Sequence, residues 1–167
     1  ESGVTTAADM GTGSFGNPVG EIQAIKAAVA SDPVGVRVLL TPIITDFITR
    51  QKSAEQALAE VRDWQTMNDN QVTVGNHFKL MIDGAIFSGL SQMGSPGYLD
   101  GHTGVWMVDV PTLKTFTKTF WDAGFQIHAH SNGDAATARF IDLLDYLLRE
   151  SPRADHRMTL EHFAYST

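Results

Sequence analysis

The chain has 167 residues, 43% apolar and 19% charged, enough for one domain with a real core. Twelve basic against nineteen acidic residues give a net charge of −7, and no Lys/Arg cluster interrupts that balance, which argues against nucleic acid and anionic membranes as partners. Cysteine is absent, which excludes disulfides, thiolate metal sites and a Cys nucleophile. No apolar run approaches the roughly 18 residues of a membrane span, and no signal-peptide pattern opens the chain, so a cytoplasmic location is expected. Glu1 stands where Met would begin a complete chain, and a piece of a longer protein is expected.

In chain order, Val4-Thr5-Thr6-Ala7-Ala8 reads as a strand by its β-branched residues. Asn17-Pro18 starts a helix, Asn as cap and Pro in the first turn, with Ile22, Ile25 and Val29 on one face. A second strand covers Val36 to Leu40. Ser53-Ala54-Glu55-Gln56 is a capping box, and Ala54, Ala57, Leu58 and Val61 behind it keep the spacing of a helix packed on one face. A third strand is expected within Val72 to Ile82.

Residues 84 to 108 carry seven glycines or prolines without a sustained period, and loops of that length are usually functional or disordered. A helix then starts near Pro111, turns Leu113, Phe116, Phe120 and Trp121 inward and stops at Gly124. Phe125 to Ala129 is the fourth strand, residues 134 to 149 a helix, and Met158 to Leu160 a short fifth strand. Strands alternating with helices imply right-handed βαβ units on a parallel sheet, with ligands at the carboxyl ends of the strands.

Polar residues cluster at those ends. Gly11-Thr12-Gly13-Ser14-Phe15-Gly16 fits the dinucleotide fingerprint G-x-G-x-x-G. The second strand, however, ends without the carboxylate that would hold the ribose, and Asn17-Pro18 delays the helix, so a plain strand-to-helix loop is the preferred reading. Lys79 sits among Phe78, Leu80, Met81 and Ile82, where an ammonium must snorkel, pair or lose its charge; a neutral lysine is a nucleophile toward carbonyls and carbon dioxide. His128 and His130 fall on one side of the fourth strand, a spacing that suits Zn²⁺ or a related ion as well as ordinary packing, and Asp134 reads as a helix cap. His162 follows the fifth strand behind Glu161. His77, His102 and His156 read as loop or surface residues. Lys79, His130 and His162 thus end three successive strands, which in a parallel barrel converge on one site.

Four stretches together carry a resemblance. Gly3-Val4-Thr5-Thr6 with Asp9-Met10-Gly11, Lys79 with Asp83-Gly84, His130-Ser131-Asn132-Gly133-Asp134-Ala135-Ala136, and Arg157 with Glu161-His162 are similar, in order and spacing, to the metal-dependent amidohydrolase superfamily. The resemblance is to its third amidohydrolase branch, which includes N-substituted formamide deformylases. It implies an α/β fold, part of a TIM (β/α)8 barrel, with five parallel strands corresponding to barrel strands two to six and residues 1 to 167 forming one partial domain. It further implies a divalent metal, zinc being the expected ion, with one or two in the parent enzyme. Lys79 (often carboxylated in the family), His130 and His162 are the implied ligands. His128, Asp83 and Asp134 are assigned around them or in the substrate pocket, with Tyr98 and Trp106 as apolar wall residues.

The implied reaction is hydrolysis of a C–N bond in a small amide-type substrate by metal-activated water. The family's first-strand His-x-His pair and eighth-strand aspartate are absent, so the isolated chain is expected to have an incomplete site and to be inactive. A complete barrel takes about 250 residues, more than this chain has. The alternative is a non-catalytic α/β fragment or binding module that oligomerises through exposed sheet edges.

Overall fold

The computed structural model describes residues 3–31 and 35–165, which fall into two compact units, Glu1–Lys79 and Leu80–Thr167. The first unit contains β1 (Thr6–Thr12), α1 (Pro18–Ala30), β2 (Arg37–Pro42), α2 (Ile44–Thr49), α3 (Ala54–Gln65) and β3 (Val72–Val74). β4 (His77–Met81) spans the boundary. β1, β2 and β3 form one sheet in that order, both pairings parallel, with Ala8 opposite Leu39 and Val38 opposite Val72.

Local signals set most of these elements. Asn17 caps α1 by accepting from the Gly20 N–H at 3.1 Å, and Ile22 and Val29 are buried while Ile25 is only half-buried. The capping box of α3 is complete: Ser53 Oγ accepts from Gln56 N, and Gln56 Oε1 from Ser53 N. Ala54, Ala57, Val61 and Trp64 form its inner face, and the Trp64 ring stacks on Phe47 at 5.5 Å.

Three features differ from the sequence expectation. β1 runs on to Thr12 through an irregularity between Asp9 and Thr12, because Gly11 and Thr12 extend the strand where composition suggests a loop. The expected single strand within Val72 to Ile82 is two, β3 and β4, interrupted at Gly75-Asn76. The short helix α2 has no counterpart in the reading, since six residues rich in β-branched side chains carry no helical period.

Two charge clusters brace this unit. Asp46, almost fully buried in the first turn of α2, pairs bidentately with Arg50, which also donates to Glu60 at 2.8 Å. Gly13, at φ +102°, passes so close that a Cβ there would lie 2.8 Å from Asp46 Cγ, so only glycine fits. Arg50→Met strands a buried carboxylate and is expected to cost about 2 kcal/mol in urea unfolding; the arginine's own partial exposure keeps the loss below that of a fully buried pair.

The second cluster lies before β3. Asp69 accepts from the N–H groups of Gln71 and Val72 at 2.8 Å and pairs with Lys26 at 2.9 Å. Lys26 first, then the two N–H donors, holds this carboxyl at about 2. The unfolded chain therefore binds the proton at higher pH than the folded one, and the stabilisation is full above about pH 5 and lost as pH falls toward 2. The stability difference between wild type and Asp69→Asn is expected to be flat from pH 5 to 7 and to shrink below pH 4; a flat difference down to pH 2 contradicts it.

The second unit holds α4 (Val110–Asp122), β5 (Gln126–Ser131), α5 (Asp134–Glu150) and β6 (Thr159–His162). β4, β5 and β6 form the second sheet in that order, with β5 and β6 parallel and Ser131 opposite His162. The described residues thus give six strands in two three-stranded sheets and no closed barrel, where five strands of one partial barrel were expected. Asp109 caps α4 through the Thr112 N–H, and Gly124 ends it at φ +86°. Leu113, Phe116, Phe120 and Trp121 point inward as expected, with Phe120 edge-on to Phe125 at 5.0 Å. Loop 84–108 contains one 3₁₀ turn, Ile86–Ser88, and a bridge between Asp83 and Trp106. No helix among the described residues is long and apolar enough to cross a membrane.

Candidate functional site

Alternation along β5 carries His128 and His130 on one side of the strand, and parallel pairing with β6 brings His162 to the end of β5, opposite Ser131. The rings of His130 and His162 meet edge to face, 4.7 Å between centroids. His162 reaches that position from a backbone at φ +71°, followed by Phe163 at φ +45°. Two consecutive non-glycine residues in the left-handed region are costly, and such strain persists only where the surroundings fix it. Here the N–H of Phe163 donates to Ser131 O and that of Tyr165 to Asn132 O, locking the turn to the end of β5.

Asn132 is the hub of the site. Its side-chain Nδ2 donates to Gly84 O at 3.0 Å and to His130 Nε2 at 2.9 Å. The Gly84 carbonyl fixes which end of the amide faces it, so His130 Nε2 is the acceptor and the neutral ring carries its proton on Nδ1. Asn132 Oδ1 is buried without a hydrogen-bond partner. His128 Nδ1 lies 2.9 Å from Glu161 Oε1, and an ionised carboxylate, which only accepts, places the proton on that nitrogen.

Behind this pair, Asp83 is fully buried and accepts three backbone N–H bonds, from Gln92 and Gly133 to Oδ2 and from Asn132 to Oδ1. It ties loop 84–108 to the end of β5. Asp134 adds a second tie: it is the first residue of α5, Gly133 occupies the cap position, and the Asp134 carboxylate accepts from Gly94 N at 2.7 Å. Asp134 is therefore not the cap expected of it but a tie from the first turn of α5 to the glycine-rich loop. Gly133 is required where it stands, because a Cβ there would fall 1.9 Å from Gln92 O.

The remaining expected residues lie apart from the histidine pair or outside this unit. Trp106 lies under the Arg139 guanidinium, 3.1 Å from its ring centroid, and lines a cavity of about 430 Å³ against α4 and α5. Tyr98 stacks on His102 at 4.1 Å, and His102 is exposed and paired with Asp100. The wall beside His130, His162 and Asn132 is instead made by Ala85, Ile86 and Phe87, around a recess of about 130 Å³. Sequence reasoning passed over these three; their only signal is an apolar triplet between Gly84 and Gly89. Lys79, in the first unit, is buried beside Phe78, bridges Ile43 along the strand, and burial pushes its amine down to about 8.

At the ends of β1 and β2 the glycine loop is already occupied. Glu21 accepts from Gly13 N at 2.7 Å and from Phe15 N at 3.0 Å, so a side chain of α1 fills the place where a phosphate would sit.

Two imidazoles of this kind fit the nitrogen half of a zinc site, which needs three or four protein ligands in all. Among the described residues no group of three or more His, Cys, Asp or Glu side chains could hold a metal ion.

Comparison with solved structures finds two chains of similar fold. An uncharacterized metal-dependent hydrolase from Pyrococcus horikoshii OT3 is similar over 84% of this chain and 26% of its own, with a TM-score of 0.55 and 14% identity. A second, from Pyrococcus furiosus, is similar over 85% of this chain and 27% of its own, with a TM-score of 0.56 and 14% identity. The chain resembles part of a metal-dependent hydrolase. At this identity the likeness concerns the fold, and the chain spans about a quarter of the length of those hydrolases. No family model matches the chain, and no curated protein matches it in sequence.

Proposed function

We propose that the chain is part of a metal-dependent amidohydrolase of the third amidohydrolase branch, holding barrel strands two to six and hydrolysing a C–N bond of a small amide. The observation that supports this best is the His130–His162 pair, held edge to face at the ends of adjacent parallel strands by a strained backbone and by Asn132. His130 and His162 would supply imidazole nitrogens to a divalent ion, with zinc the favoured metal for such donors. Lys79 is the proposed third contributor. Burial lowers its pKa to about 8, which raises the share present as the amine, the form that adds carbon dioxide to give a carbamate and release a proton. An ion held there would lower the pKa of its water to about 7, making hydroxide available at neutral pH. Glu161 fixes the proton of His128 on Nδ1, while His130 would offer Nε2 to an ion only by releasing the Asn132 N–H that it accepts.

The second reading, a non-catalytic binding module, draws on the absence of any three-residue ligand cluster among the described residues. Titration of the chain with Zn²⁺, followed by the imidazole resonances, separates the two. The hydrolase reading expects His130 and His162 to respond together and saturate at one ion per chain. Response at the exposed His102 alone, or none, favours the binding module.

A further inference from the structure

The 3₁₀ turn Ile86–Ser88 presents large apolar side chains to solvent beside two imidazoles. Phe87 is 94% exposed and Ile86 56%, although hydrophobic burial would favour turning them inward. The backbone that holds them is closed on itself. Gly84 N donates to Leu90 O, Leu90 N to Ala85 O, Gly89 N to Ile86 O, and the His102 ring lies 2.8 Å from Gly89 O. A Cβ on Gly84 would fall 2.4 Å from Leu90 Cβ, so the neck of this turn is packed tight. Asn132 then links the neck to His130 through the Gly84 carbonyl. The backbone that carries Ile86 and Phe87 is therefore set before any ligand arrives, which lowers the entropy cost of binding one.

The recess that this turn shares with His130, Asn132 and His162 measures about 130 Å³. An apolar cavity of about 150 Å³ accepts a benzene ring, so the space matches one aromatic or branched apolar group.

We infer that Phe87 and Ile86 are the substrate-recognition wall of this site, selecting a small carboxamide whose apolar substituent is about the size of one aromatic ring. The inference rests on the hydrolase reading for the amide, and on the recess alone for the apolar group. The substituent packs against Phe87 and Ile86, and the carboxamide lies against the imidazole edge.

Benzamide and acetamide, titrated into isotope-labelled chain, test it by NMR. Benzamide is expected to shift the Ile86 and Phe87 amides and the His162 ring saturably, with acetamide at least tenfold weaker. Because Phe87 is exposed, Phe87→Ala leaves the fold intact and is expected to weaken benzamide at least fivefold while leaving the Zn²⁺ response unchanged. Equal responses to the two amides, indifference to Phe87→Ala, or shifts centred on Trp106 and Arg139 overturn the inference. A benzamide response without any Zn²⁺ response at His130 and His162 removes the hydrolase reading and leaves the wall standing. The reverse pattern removes the wall alone.

Discussion

Asp83→Ala is expected to cost about 4 kcal/mol of stability and to scatter the histidine pair. The carboxylate is fully buried and receives three N–H groups at 2.8 to 2.9 Å, from two segments of the second unit. Hydrogen bonds to a charged acceptor contribute about 1.5 to 3 kcal/mol each, and an orphaned buried donor costs about as much. Water entering the vacated space recovers part of that sum, which brings the expectation down to about 4. Asp83→Asn keeps one acceptor oxygen but turns an NH₂ toward a backbone donor, and is expected to fall between alanine and wild type. Denaturant unfolding measures both. A loss under about 1 kcal/mol for alanine would falsify the role given to this carboxylate.

A control separates anchoring from bulk stability. Leu113→Ala, in the core of α4, is expected to destabilise by about 2 to 5 kcal/mol. It leaves the His130 and His162 ring resonances in place, whereas Asp83→Ala moves them, because Asn132 loses its main-chain tie along with the carboxylate.

The second large effect is on metal affinity. His130→Ala and His162→Ala each remove half of the imidazole donor set, and each is expected to weaken Zn²⁺ binding by about 100-fold. Even outer-shell partners of metal ligands typically contribute about 10- to 100-fold, which sets the lower bound for a ligand itself. Asn132→Ala loosens the His130 ring but also frees its Nε2 lone pair, and is expected to weaken binding less than either histidine variant. His128→Ala is expected to change affinity by less than about threefold, since the proposed donors are the ring pair His130 and His162. Calorimetry on the four variants checks the ranking; equal effects from His128 and His162 contradict it.

The parts of this structure that sequence discloses are those whose cause is local. The capping box at Ser53, the stop at Gly124 and the period-two histidines of β5 each involve residues within a few positions of one another. The anchoring role of Asp83 is invisible on that scale, because two of its donors come 49 and 50 residues later. An Asp-Gly pair announces a turn and nothing about what the carboxylate holds. For Trp106 and Tyr98 composition names aromatic residues in a glycine-rich loop but not their neighbours: one lies under Arg139 and the other is stacked on His102. The modest apolar pair Ile86-Phe87 stands at the recess because a closed backbone turn, and not composition, aims it there. α2 escaped notice for want of length, since its six residues make under two turns.

The carboxylate of Glu21 in the glycine loop bears on more than one failed motif. A ring of amide hydrogens already satisfied from within the chain has nothing left to offer a visiting anion. The curvature supplied by Gly13 and Gly16 serves self-closure, so the loop is a clasp between β1 and α1. Fingerprints written as glycine spacings cannot tell a clasp from a cradle; the difference lies in one acidic side chain eight residues after Gly13.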